Sequence, residues 1–144
     1  MELEQNVSIA LELENALSSL RRKKNIEHSQ NALKKAEIFF LLTLDSLHQK
    51  QIMPSELGKE LNITLPGVTH HLNSLENLGY IERQTADGDR RVLLVSLSKK
   101  GAKKVKELKK NMHQKVSKLI NELGEEDSRL LIKLITKISK INFD

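Results

Sequence analysis

The sequence lacks cysteine and tryptophan and has few aromatic residues of any kind. Without cysteine, these 144 residues can form no disulfide, thiolate metal site, thiol nucleophile or thiol redox switch. Three Phe and one Tyr are too few for an aromatic platform that stacks single-stranded nucleic acid. Several classes of redox enzyme, metalloprotein and single-strand-binding protein are therefore excluded.

Long hydrophobic runs are also missing. No stretch approaches the roughly 18 consecutive apolar residues of a membrane span. The acidic start, residues 1–5, lacks the basic-then-apolar order of a secretory signal. We therefore expect a cytoplasmic protein that makes no membrane contact. The length fits one domain, and 38% apolar residues are enough for a folded core.

The positive charge is concentrated in one part of the chain. Residues 81–118 contain 12 basic and 4 acidic side chains, a net charge of +8, whereas the whole chain carries +5. The flanking segments 1–80 and 119–144 have net charges of −2 and −1. A solvated, lysine-rich helix face is one interpretation, and a binding surface for a polyanion is the other.

Apolar spacing predicts six helices and a two-stranded hairpin. Leucines and other apolar residues recur on one face of residues 3–20, and the basic residues 21–24 and polar residues to Asn31 read as a connection. The remaining elements are helices at residues 33–48, 55–61 and 65–78, strands at 80–84 and 92–97, and helices at 98–123 and 126–141, with a break at Gly124.

Short local signals fix several of these boundaries. Thr64 is a suitable N-cap for the fourth helix, and Gly79 is a suitable stop. Asp87-Gly88 is a strong turn signal for the hairpin, and Ser98 caps the long helix that follows.

The third and fourth helices and the hairpin together predict a winged helix-turn-helix. Val68, Leu72 and Leu75 form the apolar face of the fourth helix, whereas its opposite face is small or polar. A helix fits the DNA major groove, and an extended hairpin reaches the adjacent backbone or minor groove. We therefore predict a mainly α fold of the α+β winged-helix type, with a two-stranded β wing.

With this helix pair and wing, the sequence resembles the MarR family of bacterial transcription regulators. Residues 55–83 resemble that family's helix pair and first wing strand. Asp89-Arg90-Arg91 matches its D-x-R wing signature, and residues 95–101 match the strand-to-helix segment that follows. The resemblance covers roughly residues 30–140 in family order, and the three motifs are specific in combination.

The resemblance implies roles for individual residues. Asp89 corresponds to the aspartate that shapes the wing, and Arg91 to the arginine that reaches the minor groove or phosphates. His70 and Ser74 stand where many members carry arginine, so bidentate reading of guanine is not expected from them. The full predicted DNA-binding set is Ser55, Thr64, Pro66, Gly67, Thr69, His70, Asn73, Ser74, Asp89, Arg90 and Arg91. One or two of Lys99, Lys100, Lys103 and Lys104 are expected to contact phosphates, and His71 is expected to pack.

The terminal helices carry wide apolar faces that a small winged domain cannot cover, which predicts a two-fold homodimer. We assign residues 1–32 and 102–144 to a helical dimerisation region and residues 33–101 to the DNA-binding domain. The expected function is sequence-specific binding of double-stranded DNA, as a repressor on a pseudo-palindromic operator. The resemblance also implies release by a small-molecule effector whose identity the sequence does not indicate.

Two other classes of function are the alternatives to DNA binding. An enzyme is not expected, because no metal cluster and no nucleophile with a base stands at a recognisable spacing. No metal or cofactor is predicted, since His28, His48 and His113 lack ligand spacing. The rival hypothesis is a non-catalytic winged-helix module that binds protein. For Arg90 and Arg91 themselves, the alternative to DNA contact is that they are solvated charges of the hairpin.

Overall fold

A computed structural model describes residues 2–26, 33–47 and 51–143. Within these residues lie five helices and two strands: α1 Glu2–Ile26, α2 Lys35–Ser46, α3 Pro54–Leu61, α4 Leu65–Asn77, β1 Ile81–Ala86, β2 Asp89–Leu97 and α5 Lys99–Ile138. The chain divides into two compact units, Met1–Lys34 and Lys35–Asp144. The protein is therefore mainly helical with a small antiparallel sheet, as the sequence predicted.

The first unit contains α1. Its apolar residues Val7, Leu13, Leu17 and Leu20 are all exposed, so the predicted apolar face is not covered by the described residues of this unit. The helix continues to Ile26, so placing residues 21–24 in a connection was wrong. Arg and Lys are good helix formers, which explains the extension. The rest of that predicted connection, residues 27–32, lies outside the described residues.

The second unit is built around α2. Phe40, Leu41 and Leu44 of this helix are buried, as the density of apolar residues predicted. The helix ends at Ser46, and the predicted end at His48 lies outside the described residues. Other buried apolar residues come from every remaining element of the unit: Ile52, Leu57, Val68, Leu72, Leu75, Ile81, Val95, Val105 and Leu108.

The sheet is a two-stranded antiparallel hairpin. Its register starts at the pair Ile81 and Leu97, and both strands extend farther toward the turn than the sequence predicted. Ile52 adds an isolated bridge to Val95, with N···O distances of 2.9 and 2.8 Å in the two directions. The base of the wing is therefore attached to the segment just before α3.

The prediction of six helices is corrected by α5. The predicted fifth and sixth helices form one 40-residue element, Lys99–Ile138, which bends at Gly124. Gly124 has φ 79° and ψ 172°, well outside the helical region, so it does interrupt the regular backbone as the sequence indicated. The chain is helical on both sides of Gly124 with no loop between the two parts, because this single glycine accommodates the whole change in direction.

Candidate nucleic-acid interface

Helices α3 and α4 form the helix-turn-helix. The turn depends on Asn62, which adopts a left-handed conformation with φ 52° and ends α3. Thr64 then caps α4: its side-chain oxygen accepts a hydrogen bond from the Gly67 N–H at 3.4 Å. Pro66 lies in the first turn, where its missing N–H needs no partner. The predicted cap is confirmed.

One face of α4 is buried and the other is open. Val68, Leu72 and Leu75 are buried in the core. Four residues of the predicted DNA-binding set are exposed on α4: Pro66, Thr69, His70 and Asn73. Ser55 and Thr64 are also exposed, and Gly67 is half-buried. This open face of α4 is called the reading face below.

The side chains of the reading face are partly committed to partners within the protein. The Thr69 hydroxyl donates to the Leu65 carbonyl at 3.0 Å, which leaves its methyl group and lone pairs for an outside partner. His70 is exposed and lies edge-on to His71, with 5.3 Å between the ring centroids. His71 itself packs on Phe40, with 4.9 Å between the ring centroids, which confirms its predicted packing role.

Ser74 does not belong to the reading face. It is half-buried, and its hydroxyl donates to Glu37 Oε1 of α2 at 2.6 Å. Glu37 is only 3% exposed, so this hydrogen bond joins α4 to the core helix. The sequence predicted that Ser74 faces outward, and the structure corrects this. Burial of the Glu37 carboxylate is costly unless it accepts hydrogen bonds, and Ser74 donates one of them.

The wing has the shape that the D-x-R signature implies. The chain reverses at Asp87-Gly88, where Gly88 has φ 85°, as the turn signal predicted. Asp89 Oδ1 accepts a hydrogen bond from the Arg91 backbone N–H at 2.9 Å. The register shifts at Ala86, which pairs with Asp89, so Arg90 and Arg91 lie in an irregular part of β2. Both arginines are exposed, and within the described part of the chain neither guanidinium has a partner.

The lysines at the start of α5 fall into two groups. Lys100 donates to the Leu78 carbonyl at 2.6 Å and lies 4.7 Å from the centre of the Tyr80 ring, so it stabilises the end of α4. Lys104 is paired with Glu107 at 3.3 Å. Lys99 and Lys103 are exposed and make no such contact with the described residues, so they are the two free to meet phosphate.

A cleft brings part of the predicted site together. It has a volume of about 380 Å³ and lies between the start of α3, the reading face and β2. Ser55, Thr69 and Arg91 of the predicted set line it, together with Arg83, which the sequence reading did not single out. The helix pair and the wing therefore share one continuous concave surface.

Arg83 is the main residue that sequence reasoning missed. Its guanidinium Nη2 donates to Asn73 Oδ1, and its Nε lies 3.2 Å from Glu76 Oε2 without the alignment of a hydrogen bond. Arg83 therefore links β1 to the reading face. A signal was available, since Arg83 is a basic residue in the first wing strand, six residues after the end of α4, but spacing alone does not show which residues it meets.

The described residues contain no group of three or more His, Asp or Glu side chains that could hold a metal ion. Among those same residues, no helix is long and apolar enough to cross a membrane.

Comparison with known proteins gives the same picture. The model of the MarR family matches residues 39–92. An uncharacterised HTH-type transcriptional regulator of Bacillus subtilis, YdgJ, is 33% identical over 98 residues, which are 68% of this chain. The match spans 59% of that relative's length.

Solved structures agree over nearly the whole chain. FabT of Streptococcus pneumoniae in complex with DNA is 28% identical, with a TM-score of 0.70, and the match covers 94% of each chain. A mutant MarR of Escherichia coli complexed with operator DNA is 25% identical, with a TM-score of 0.67, and the match covers 90% of this chain and 94% of that one.

The fold and the reading face define a winged helix-turn-helix protein. With the matching family model, the related regulator and the structural neighbours, the chain belongs to the MarR family of transcriptional regulators. The related protein of Bacillus subtilis is named a transcriptional regulator, and the absence of an enzymatic activity stays a prediction for this chain.

Proposed function

We propose that this protein binds double-stranded DNA in a sequence-specific manner and regulates transcription, most simply as a repressor that occupies a promoter. One observation carries the proposal: the exposed polar reading face of α4 lies beside a wing whose two arginines have no partner among the described residues. A polar helix face suits the major groove, and unpaired guanidinium groups suit phosphates or the minor groove.

The charge distribution supports the same conclusion. Arg90, Arg91, Lys99 and Lys103 are exposed and belong to the segment with a net charge of +8. Each phosphate that such a side chain neutralises releases counterions from DNA, which favours binding and makes it depend on salt. Two structural neighbours were solved with DNA, and a relative from Escherichia coli, 28% identical over 131 residues, is named a transcriptional repressor.

We further propose a homodimer, with residues 1–32 and 102–144 as the dimerisation region and residues 33–101 as the DNA-binding domain. Exposed apolar side chains on α1 and on the second half of α5 support this assignment, because surfaces of that kind are normally covered by a partner. Two reading faces would then meet successive major grooves, roughly 34 Å apart, on a pseudo-palindromic operator. Because a regulator of this kind acts on chromosomal DNA, we also propose a cytoplasmic location.

A small-molecule effector belongs to the same proposal and rests on the family resemblance. Such a ligand releases DNA only if it binds the DNA-incompatible form more tightly than the DNA-bound form. By reciprocity, bound operator should weaken effector binding by the same factor by which the effector weakens operator binding.

Selection of bound duplexes from a random pool tests the function. We expect a palindromic consensus whose half-sites are about 10 base pairs apart. Binding to that consensus should weaken with salt, with a slope of log affinity near −0.9 per phosphate contacted. Failure to enrich any sequence, together with affinity that does not change with salt, would favour the protein-interaction module instead.

A further inference from the structure

Arg83 fixes the orientation of Asn73, a residue of the reading face. Its guanidinium holds Asn73 through Nη2, while Glu76, one turn farther along α4, lies 3.2 Å from its Nε. The Arg83 side chain is only 19% exposed, so it has little freedom to leave these partners. Asn73 is exposed and faces outward.

The chemistry of a guanidinium group decides which end of the Asn73 amide faces inward. Arginine has only N–H donors, so the atom that meets Arg83 must be the amide oxygen. The opposite end of the amide, Nδ2 with its two hydrogens, is therefore the end available to an outside partner. Asparagine usually reads adenine through both ends at once, accepting from adenine N6 and donating to adenine N7. In this protein the oxygen is directed at Arg83 and one of its two lone pairs is engaged there, so the amide does not present both ends to one adenine.

We propose that Arg83 is a specificity-determining residue: by holding the carbonyl oxygen of Asn73, it turns the donor end of the amide outward, and Asn73 then selects a G·C base pair. Guanine presents two adjacent acceptors, O6 and N7, in the major groove, whereas adenine and thymine each present one acceptor there. This inference rests on the proposed DNA-binding function. Arg83 acts through Asn73 and is a positioning residue in this scheme.

Base preferences of four proteins test the inference: the wild type and the variants Asn73→Ala, Arg83→Met and Glu76→Gln. The position at which Asn73→Ala loses its preference identifies the base pair that Asn73 reads. We expect the wild type to prefer G·C there. Arg83→Met frees the amide oxygen, so preference at this pair should move toward A·T by about tenfold, the size of one good base contact.

Glu76→Gln is the matched control, because it changes the other partner of Arg83 and leaves the Arg83 contact with Asn73 in place. Its preference for G·C at that pair should be unchanged. Circular dichroism and thermal melting establish that each variant is folded. The wild-type preference provides a test even if Arg83→Met does not fold.

Each contrary outcome has a distinct meaning. If the wild type selects no sequence at all, the proposed DNA-binding function fails and this inference fails with it. If the wild type selects a consensus but prefers A·T at the pair read by Asn73, DNA binding stands and the role of Arg83 is overturned. Unaltered preference in Asn73→Ala, or in folded Arg83→Met, overturns it as well.

Discussion

Gly101 lies where the first turn of α5 passes closest to the end of α4. A Cβ atom at this position would stand 1.9 Å from the Tyr80 carbonyl oxygen. This steric overlap is with a backbone atom, so it can be relieved only if the backbone moves. The same region is held by Ser98, whose hydroxyl donates to the Gly79 carbonyl at 2.6 Å and accepts from the Gly101 N–H at 2.9 Å. Glycine is therefore required here by contact rather than by an unusual φ angle.

Gly101→Ala should destabilise the protein. In an open helix this change stabilises by up to about 1 kcal/mol, but the overlap with Tyr80 should reverse the sign and cost about 1–3 kcal/mol. Urea unfolding monitored by circular dichroism measures the difference. The neighbouring exposed residue provides a control: Ala102→Ser should change stability by less than about 0.5 kcal/mol. Equal unfolding midpoints for Gly101→Ala and the wild type would show that the close approach is absent.

Ser74 gives a second prediction at the residue scale, because its hydroxyl donates to the buried Glu37 carboxylate. Ser74→Ala removes one donor from that carboxylate and should lower stability by about 1–3 kcal/mol. Its effect on base preference should be negligible, since Ser74 lies off the reading face. Unfolding curves and duplex selection measure the two quantities separately. Ser139→Ala, which removes an exposed hydroxyl bonded to the Thr136 carbonyl, is the control for stability. A changed base preference would return Ser74 to the interface.

At the scale of elements, the wing is shaped by one short-range hydrogen bond. Asp89 holds the Arg91 backbone N–H at 2.9 Å and thereby orders the irregular start of β2. This geometry aims Arg91 without touching its guanidinium. The loss of Asp89 should therefore act on DNA binding through the conformation of the wing.

Asp89→Ala should lower DNA affinity even though it removes a negative charge, which by itself would favour binding to phosphate. We expect a loss of about 1 kcal/mol, the usual size of a hydrogen bond between side chain and backbone. Asp87→Ala is the matched control: it removes the same charge from the same turn and should bind equally well or better. Fluorescence anisotropy at several salt concentrations measures both. Equal gains in affinity for the two variants would mean that Asp89 acts only as a charge.

The helix caps, the wing turn and the bridge at Ile52 show which structural features can be predicted from the sequence. The caps at Thr64 and Ser98 and the turn at Asp87-Gly88 were predictable, because each depends on residues within three positions. The bridge from Ile52 to Val95 was not, because it joins residues 43 positions apart through backbone atoms that carry no sequence signal.

The interface was predictable to a similar extent. Helical periodicity placed Thr69, His70 and Asn73 on the open face of α4, and the structure agrees. Periodicity placed Ser74 there too, since nothing local shows that Glu37 approaches from α2. Glu37 did carry a signal: a charged residue three and four positions before the buried Phe40 and Leu41 faces the core and needs a partner.

At the scale of the whole molecule, the unexplained feature is the amount of apolar surface outside the core. Beyond Leu108, α5 has a single buried side chain among the described residues, that of Ser128. Its apolar residues are largely exposed: Met112, Val116, Leu119, Ile120, Leu123, Leu130, Leu134, Ile135 and Ile138. Gly124 redirects the helix midway, which gives the two halves of this apolar stripe different directions. A long helix that is exposed on its apolar side is stable only when another surface covers it.

Substitution within this stripe should separate dimer formation from DNA reading. Ile135 is 56% exposed, so Ile135→Glu should leave the winged domain folded while placing a charge in the proposed interface. We expect sedimentation at micromolar concentration to change from a dimer to a species near the chain mass of 16.4 kDa. Affinity for the full operator should then fall toward that for one half-site, because the two reading faces no longer bind as a linked pair.

Thr136→Glu introduces the same charge one residue away, off the apolar stripe, and should remain dimeric with full operator affinity. Circular dichroism distinguishes dissociation from unfolding. A wild-type protein that sediments as a monomer, or Ile135→Glu that sediments as a dimer, would contradict the assignment of this part of α5 to the dimer interface. The expected result makes operator length, rather than base contacts alone, a determinant of affinity, since two half-sites can be read together only when the paired helices set their spacing.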